Sequence, residues 1–104
     1  MQKADGYEDM GNGVVVRWAK DSEKSEAKCP SYAEACFKVA VQTNVTCSSG
    51  VYIELQVKTS SGTIIGKANE ITPAMRKGDR GVFAVVSADK NASRANLADI
   101  RCLG

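Results

Sequence analysis

Val51-Tyr52-Ile53-Glu54-Leu55-Gln56-Val57-Lys58 alternates apolar and polar residues without a break. Val51, Ile53, Leu55 and Val57 turn to one side, and Tyr52, Glu54, Gln56 and Lys58 to the other. That period of two predicts a half-buried strand of an antiparallel sheet. Ser60-Ser61-Gly62 follows as a turn, with a glycine free to take a positive φ, and Thr63-Ile64-Ile65-Gly66-Lys67-Ala68 returns as the hairpin partner. Pro73 closes that segment.

Working outward, Gly13 to Trp18 reads as a first strand on its run Val14-Val15-Val16. Phe37, Val39 and Val41 alternate with Lys38, Ala40 and Gln42, which gives a second strand with one buried face. Between them, the charged residues Lys20 to Lys28 read as a solvated loop. Ser31-Tyr32-Ala33-Glu34 has capping-box spacing and predicts one or two helical turns before Cys36. Downstream, Lys77-Gly78-Asp79 marks a reversal, Gly81 to Val86 a further strand and Asp89-Lys90-Asn91 a turn. In Ser93 to Cys102, Ala95 and Leu97 share one parity, while Ala98, Ile100 and Cys102 share the other. A bulge near Leu97 or Ala98 reconciles them within a strand, with a short helix as the competitor. Residues 1–12 show no periodicity and read as a flexible leader, leaving 13–104 as a single domain.

Four cysteines, Cys29, Cys36, Cys47 and Cys102, are separated by six, ten and fifty-four residues. These spacings match neither a zinc ribbon nor a C-x-x-C redox motif, and no histidine is present to complete a mixed metal site. An even count in a short chain implies disulfides, an oxidising compartment and export, with any signal peptide removed ahead of Met1. Of three possible connectivities, Cys29–Cys36 with Cys47–Cys102 is expected. The short pair staples a loop with no core of its own, and the long pair ties the start of the central strand to the end of the last one.

The chain's 104 residues, 43% hydrophobic and 25% charged, suffice for one real core. Its net charge of +2 comes from 14 basic and 12 acidic residues that are interspersed, which disfavours nucleic acid as a partner. No apolar run is long enough for a transmembrane segment. Short strands divided by turns, with no long amphipathic helix, predict an all-β fold: an immunoglobulin-like antiparallel β-sandwich with disulfides.

Over about residues 36–102 the chain resembles FxLYD-type and related immunoglobulin-like domains of bacterial envelope proteins. Gly62, Ile64, Ile65, Gly66, Lys77, Gly78, Asp79 and Phe83 stand at the matching places. Leu55, Val57, Lys58 and Thr59 occupy the positions of the residues that name the family, a departure from its pattern. The resemblance implies an exported accessory or binding module with no catalytic residues to carry over.

Without histidine, Ser-His and Cys-His nucleophilic systems are absent. Glu54 and Glu70 could face each other across a hairpin as an acid pair, and a solvated sheet face explains them equally well. No catalytic residue, metal or cofactor is assigned. Asn44-Val45-Thr46 and Asn91-Ala92-Ser93 satisfy the glycosylation triplet by coincidence if the chain is bacterial. Trp18 is expected in the core rather than as a ligand platform. Tyr52, Glu54 and Gln56 form an outward contact strip, and Arg76, Lys77 and Arg80 crowd one turn. These two groups are the candidate partner-binding residues, for a protein or surface polymer. The competing function is a small disulfide-stapled inhibitor or effector that presents the Cys29–Cys36 loop.

Overall fold

The computed structural model describes residues 8–11, 13–31 and 33–104, apart from the side chain of Glu26. In chain order its strands are β1 (Glu8–Asp9), β2 (Val14–Trp18), β3 (Ala35–Thr43), β4 (Val51–Lys58), β5 (Ile64–Ile71), β6 (Arg80–Ser87) and β7 (Arg94–Cys102). A short 3-10 helix, Asp21–Glu26, lies between β2 and β3. Strands β1-β2-β3-β6 make one antiparallel sheet and β5-β4-β7 the other. The chain changes sheet between β3 and β4, between β5 and β6, and between β6 and β7. The two antiparallel sheets form a β-sandwich, and the chain crosses between them three times.

The inward residues of β4, Val51, Ile53, Leu55 and Val57, meet Val14 and Val16 of β2, Val39 and Val41 of β3, and Val85 of β6 in a single core. Each of these side chains is essentially removed from water. Burying a side chain of this size is worth about 1.5–3 kcal/mol, which is why the alternation in sequence decides the register. Ala40 is buried on the far face of β3, where it packs with Val15 and Val82. That strand therefore buries residues of both parities.

β5 pairs along β4 from Tyr52↔Ile71 to Lys58↔Ile64, as the hairpin reading requires, and extends three residues past Ala68. On the other edge, Leu55 pairs with Leu97 and Glu54 with Asp99, so Ala98 is the extra residue of a β-bulge. The bulge returns Ile100 to the buried face, and the segment from Ser93 to Cys102 is a strand rather than a helix.

The disulfides are Cys29–Cys36 and Cys47–Cys102, with Cα–Cα distances of 6.0 and 5.2 Å. The second joins the loop before β4 to the end of β7. Beside it, Gly50 has φ +88°, and a Cβ there would stand 1.9 Å from the Thr72 carbonyl oxygen. Only glycine lets these two loops approach so closely. Thr72 uses the closeness: its hydroxyl accepts the Val51 amide at 2.9 Å, and its own amide donates to the Val51 carbonyl.

Several expectations are corrected. Ser31, Ala33 and Glu34 are not helical; the Ala33 amide closes a turn onto the Pro30 carbonyl, and the Glu34 amide donates to the Ser87 carbonyl in β6. Sheet pairing and the Cys29–Cys36 bridge override the local capping signal, while Tyr32 lies outside the described residues. The stretch from Lys20 to Lys28 is not a plain loop. Glu23 of the 3-10 helix makes a bidentate ion pair with the buried Arg17, its Oε2 accepting from Nη2 at 2.7 Å, and its Oε1 also accepts the Lys20 amide at 2.9 Å. Of the leader, residues 1–7 and 12 lie outside the described residues, and Glu8–Asp9 pairs with β2.

Candidate functional site

At one end of the sandwich the chain passes from β5 to β6 through Thr72 to Asp79, and the basic turn forms there. Met75 is its first anchor. The Met75 backbone exchanges two hydrogen bonds with Cys47, at 2.7 and 3.0 Å, and its side chain is buried in the core. The Asp79 amide then donates to the Arg76 carbonyl at 2.9 Å, closing a four-residue turn. Gly78 sits at its third position with φ +90°, where a type II turn calls for glycine.

Thr43, at the end of β3 and fully buried, is the second anchor. Its hydroxyl donates to the Arg76 carbonyl at 2.8 Å, its amide to the Asp79 carbonyl at 3.0 Å, and its carbonyl accepts the Gly78 amide at 2.7 Å. The Lys77 amide reaches the Thr46 hydroxyl at 3.4 Å. The turn is thus clamped to the sheet rather than swinging free.

Arg76, Lys77 and Arg80 are all exposed. The only acid within the turn, Asp79, has its Oδ2 on the Arg76 amide at 2.9 Å and is committed to the backbone. Among the described residues, none of the ion pairs involves Arg76, Lys77 or Arg80. Three cations are therefore presented to solvent on a fixed backbone, an arrangement suited to recognising negative charge.

Tyr52, Glu54 and Gln56 do not join this tip. They lie along the outer face of β4, whereas Arg76 and Lys77 belong to the loop and Arg80 opens β6 in the other sheet. The strip is also less open than its exposure pattern suggested. The Tyr52 hydroxyl donates to Glu54 Oε1 at 2.8 Å, and the Arg101 guanidinium covers the ring at 4.9 Å from its centre. The Glu54 hydrogen bond, assisted by burial, pushes the Tyr52 phenol above its ordinary pKa. Glu54 Oε2 lies 3.7 Å from Lys67. Beside this closed network stands Ile71, the cross-strand neighbour of Tyr52, 54% exposed.

Glu54 is paired with Asn69, and Glu70 with the inward Ile53, so the two carboxylates alternate to opposite sides of the sheet and form no acid pair. Trp18 is corrected from core to surface. It ends β2 with 42% of its area exposed and lines a hollow of about 270 Å³ with Ala19, Lys24, Cys36, Phe37 and Lys38.

Sequence reasoning missed Thr43, whose role arises from contacts 33 or more residues away, and it missed the pairing of Arg17 with Glu23. No spacing rule marks either. Among the described residues no helix is long and apolar enough to cross a membrane. The two disulfides indicate an oxidising, extracytoplasmic setting. Compared with family models, with curated proteins and with solved structures, the chain matches none of them.

Proposed function

We propose that this chain is a non-catalytic binding module, secreted or held at a bacterial cell envelope, that meets an acidic partner through the Arg76–Arg80 turn. The partner is a protein or surface polymer. The observation that carries the reading is the clamped turn: its three cations project into solvent while its one acid is spent on the backbone. The export component rests on the disulfides and on the likeness of residues 36–102 to envelope modules.

Fixed cations facing a negative surface accelerate encounter and select against positive partners. Their exposure also makes the attraction salt-dependent, because the screening length is about 8 Å at physiological ionic strength. A surface contact of this kind is worth little per charge, so affinity comes from several cations acting on a dense array of anions.

The experiment is binding of the whole chain to immobilised teichoic acid and to poly-glutamate, at low and high salt, for the wild type and Lys77→Glu/Arg80→Glu. Binding at low salt that weakens about tenfold or more in the double variant, and likewise with added salt, supports the proposal. The melting temperature should be unchanged, since both side chains are exposed. Equal binding by wild type and double variant overturns it.

A further inference from the structure

At the opposite end of the sandwich from the basic turn, β2 stops while β3 runs on. The last bond between them is the Ala19 amide to the Lys38 carbonyl at 2.9 Å, and among the described residues no strand flanks β3 on that side from there back to Ala35. The 3-10 helix that follows β2 packs against β6 and reaches this notch at Lys24. Lys24 of that helix is drawn in by its carbonyl, which accepts from the Lys38 ammonium at 2.5 Å. The resulting hollow is lined by Trp18, Ala19, Cys36 and Phe37, together with the two lysines, in a mix of apolar and polar surface. Two of its lining residues, Lys24 and Lys38, are cationic, and among the described residues no carboxylate lines it.

We propose that this hollow binds a ring-sized apolar group carrying a carboxylate, either a free small acid or the C-terminal residue of a peptide chain. Three features support the assignment. Trp18, with 42% of its area exposed, offers apolar surface that is stabilised by covering it. The Lys38 ammonium has three donors, of which one is used on the Lys24 carbonyl, leaving others for a ligand oxygen. Lys24 pairs with Asp21 at 3.2 Å, but the Asp21 side chain is 98% exposed, and such a pair is screened and readily exchanged for a ligand carboxylate. The walls are fixed by the Cys29–Cys36 bridge on one side and by the Arg17–Glu23 pair, which pins the 3-10 helix, on the other. The size of the hollow, about 270 Å³, falls just below the range of drug-sized ligand sites and suits one ring rather than a polymer.

Trp18 is the only tryptophan, so its fluorescence reports on this hollow alone. The probes are N-acetylphenylalanine, its carboxamide, and a short peptide ending in phenylalanine with a free or amidated terminus. The acid should change Trp18 emission saturably, with a dissociation constant of roughly 1 mM at low salt, as expected for one charged contact and one ring. The amide should bind about tenfold or more weakly, the cost of losing a charged hydrogen bond. Lys24→Gln/Lys38→Met should bring the acid down to the level of the amide. Lys24→Gln alone, at a half-exposed position, should weaken the acid several-fold and keeps the test valid if the double variant does not fold. Tighter binding of the free-terminus peptide than of the small acid assigns the site to a chain terminus; equal binding assigns it to the small acid. Absence of a saturable change, equal binding of acid and amide, or an unaltered acid affinity in Lys24→Gln overturns the proposal.

Discussion

Thr43→Val removes one hydroxyl and leaves every charge of the basic turn in place. The Thr43 side chain is fully buried and its hydroxyl donates to the Arg76 carbonyl at 2.8 Å. That carbonyl still accepts the Asp79 amide, so no acceptor is orphaned, and the loss is that of one neutral hydrogen bond, about 1 kcal/mol. Unfolding entropy for a chain of this length is on the order of 0.2 kcal/mol per degree, so the melting temperature should fall by about 4–5 °C. Thr43→Ser is the control. It keeps the hydroxyl and deletes a buried methyl, costing about 1 kcal/mol by a different route. The two variants separate in amide exchange: Asp79 should exchange faster in Thr43→Val and at the wild-type rate, relative to global stability, in Thr43→Ser. Affinity for teichoic acid should drop about two- to fivefold in Thr43→Val alone, because ordering the turn then falls to the binding step. If Thr43→Val leaves Asp79 exchange unaltered, or Thr43→Ser loosens the turn as much, the clamp does not operate as described.

Replacing Cys47 and Cys102 by alanine should destabilise the domain more than replacing Cys29 and Cys36. The sequence separations of 55 and 7 correspond to about 4.2 and 2.4 kcal/mol of loop-closure entropy, and paired denaturant melts give the order directly. Glu23 supplies a pH signature. Its hydrogen bonds with Arg17, and then with the Lys20 amide, hold its pKa at about 2 against an ordinary 4.5. The folded value lies below the unfolded one, so this stabilisation is complete above about pH 4.5 and is lost as pH falls towards 2. The melting temperature of the wild type should decline faster across that window than that of Glu23→Gln, and parallel declines would show that the ion pair contributes nothing.

The β4–β5 hairpin and the bulge in β7 were legible in the sequence because both are set by burial parity. Ile53 and Leu55 can face only one side of a pleated strand, and Leu97 and Ile100 can both face the core only if one residue is extra. The capping signal at Ser31-x-x-Glu34 misled because its strength is local. A backbone bond from Glu34 to Ser87 and a disulfide at Cys36 outweigh the few tenths to 2 kcal/mol that a cap provides. Trp18 misled for a related reason. Its parity does place it on the inner side of β2, but it is the last residue of that strand, and 42% of its area stays exposed.

The candidate site shows the same division between what is local and what is not. Three cations around Gly78 are visible in any reading of the chain, and so is their exposure. Whether they form a surface that can recognise anything depends on the backbone beneath them, which is held by Thr43 and Met75. In the sequence Thr43 merely follows the alternating run that ends at Gln42, and Met75 merely stands between Ala74 and Arg76. Neither carries a signal of its own, because each acquires its role only when β3 and the segment before β6 are brought side by side by the β3–β6 pairing from Ala35↔Ser87 to Gln42↔Arg80. The charge of the tip is thus a property of residues 76 to 80, whereas its rigidity is a property of the sandwich. A free peptide with the sequence of the turn would keep the first and lose the second, and the affinity that separates the two is the contribution of the fold to binding.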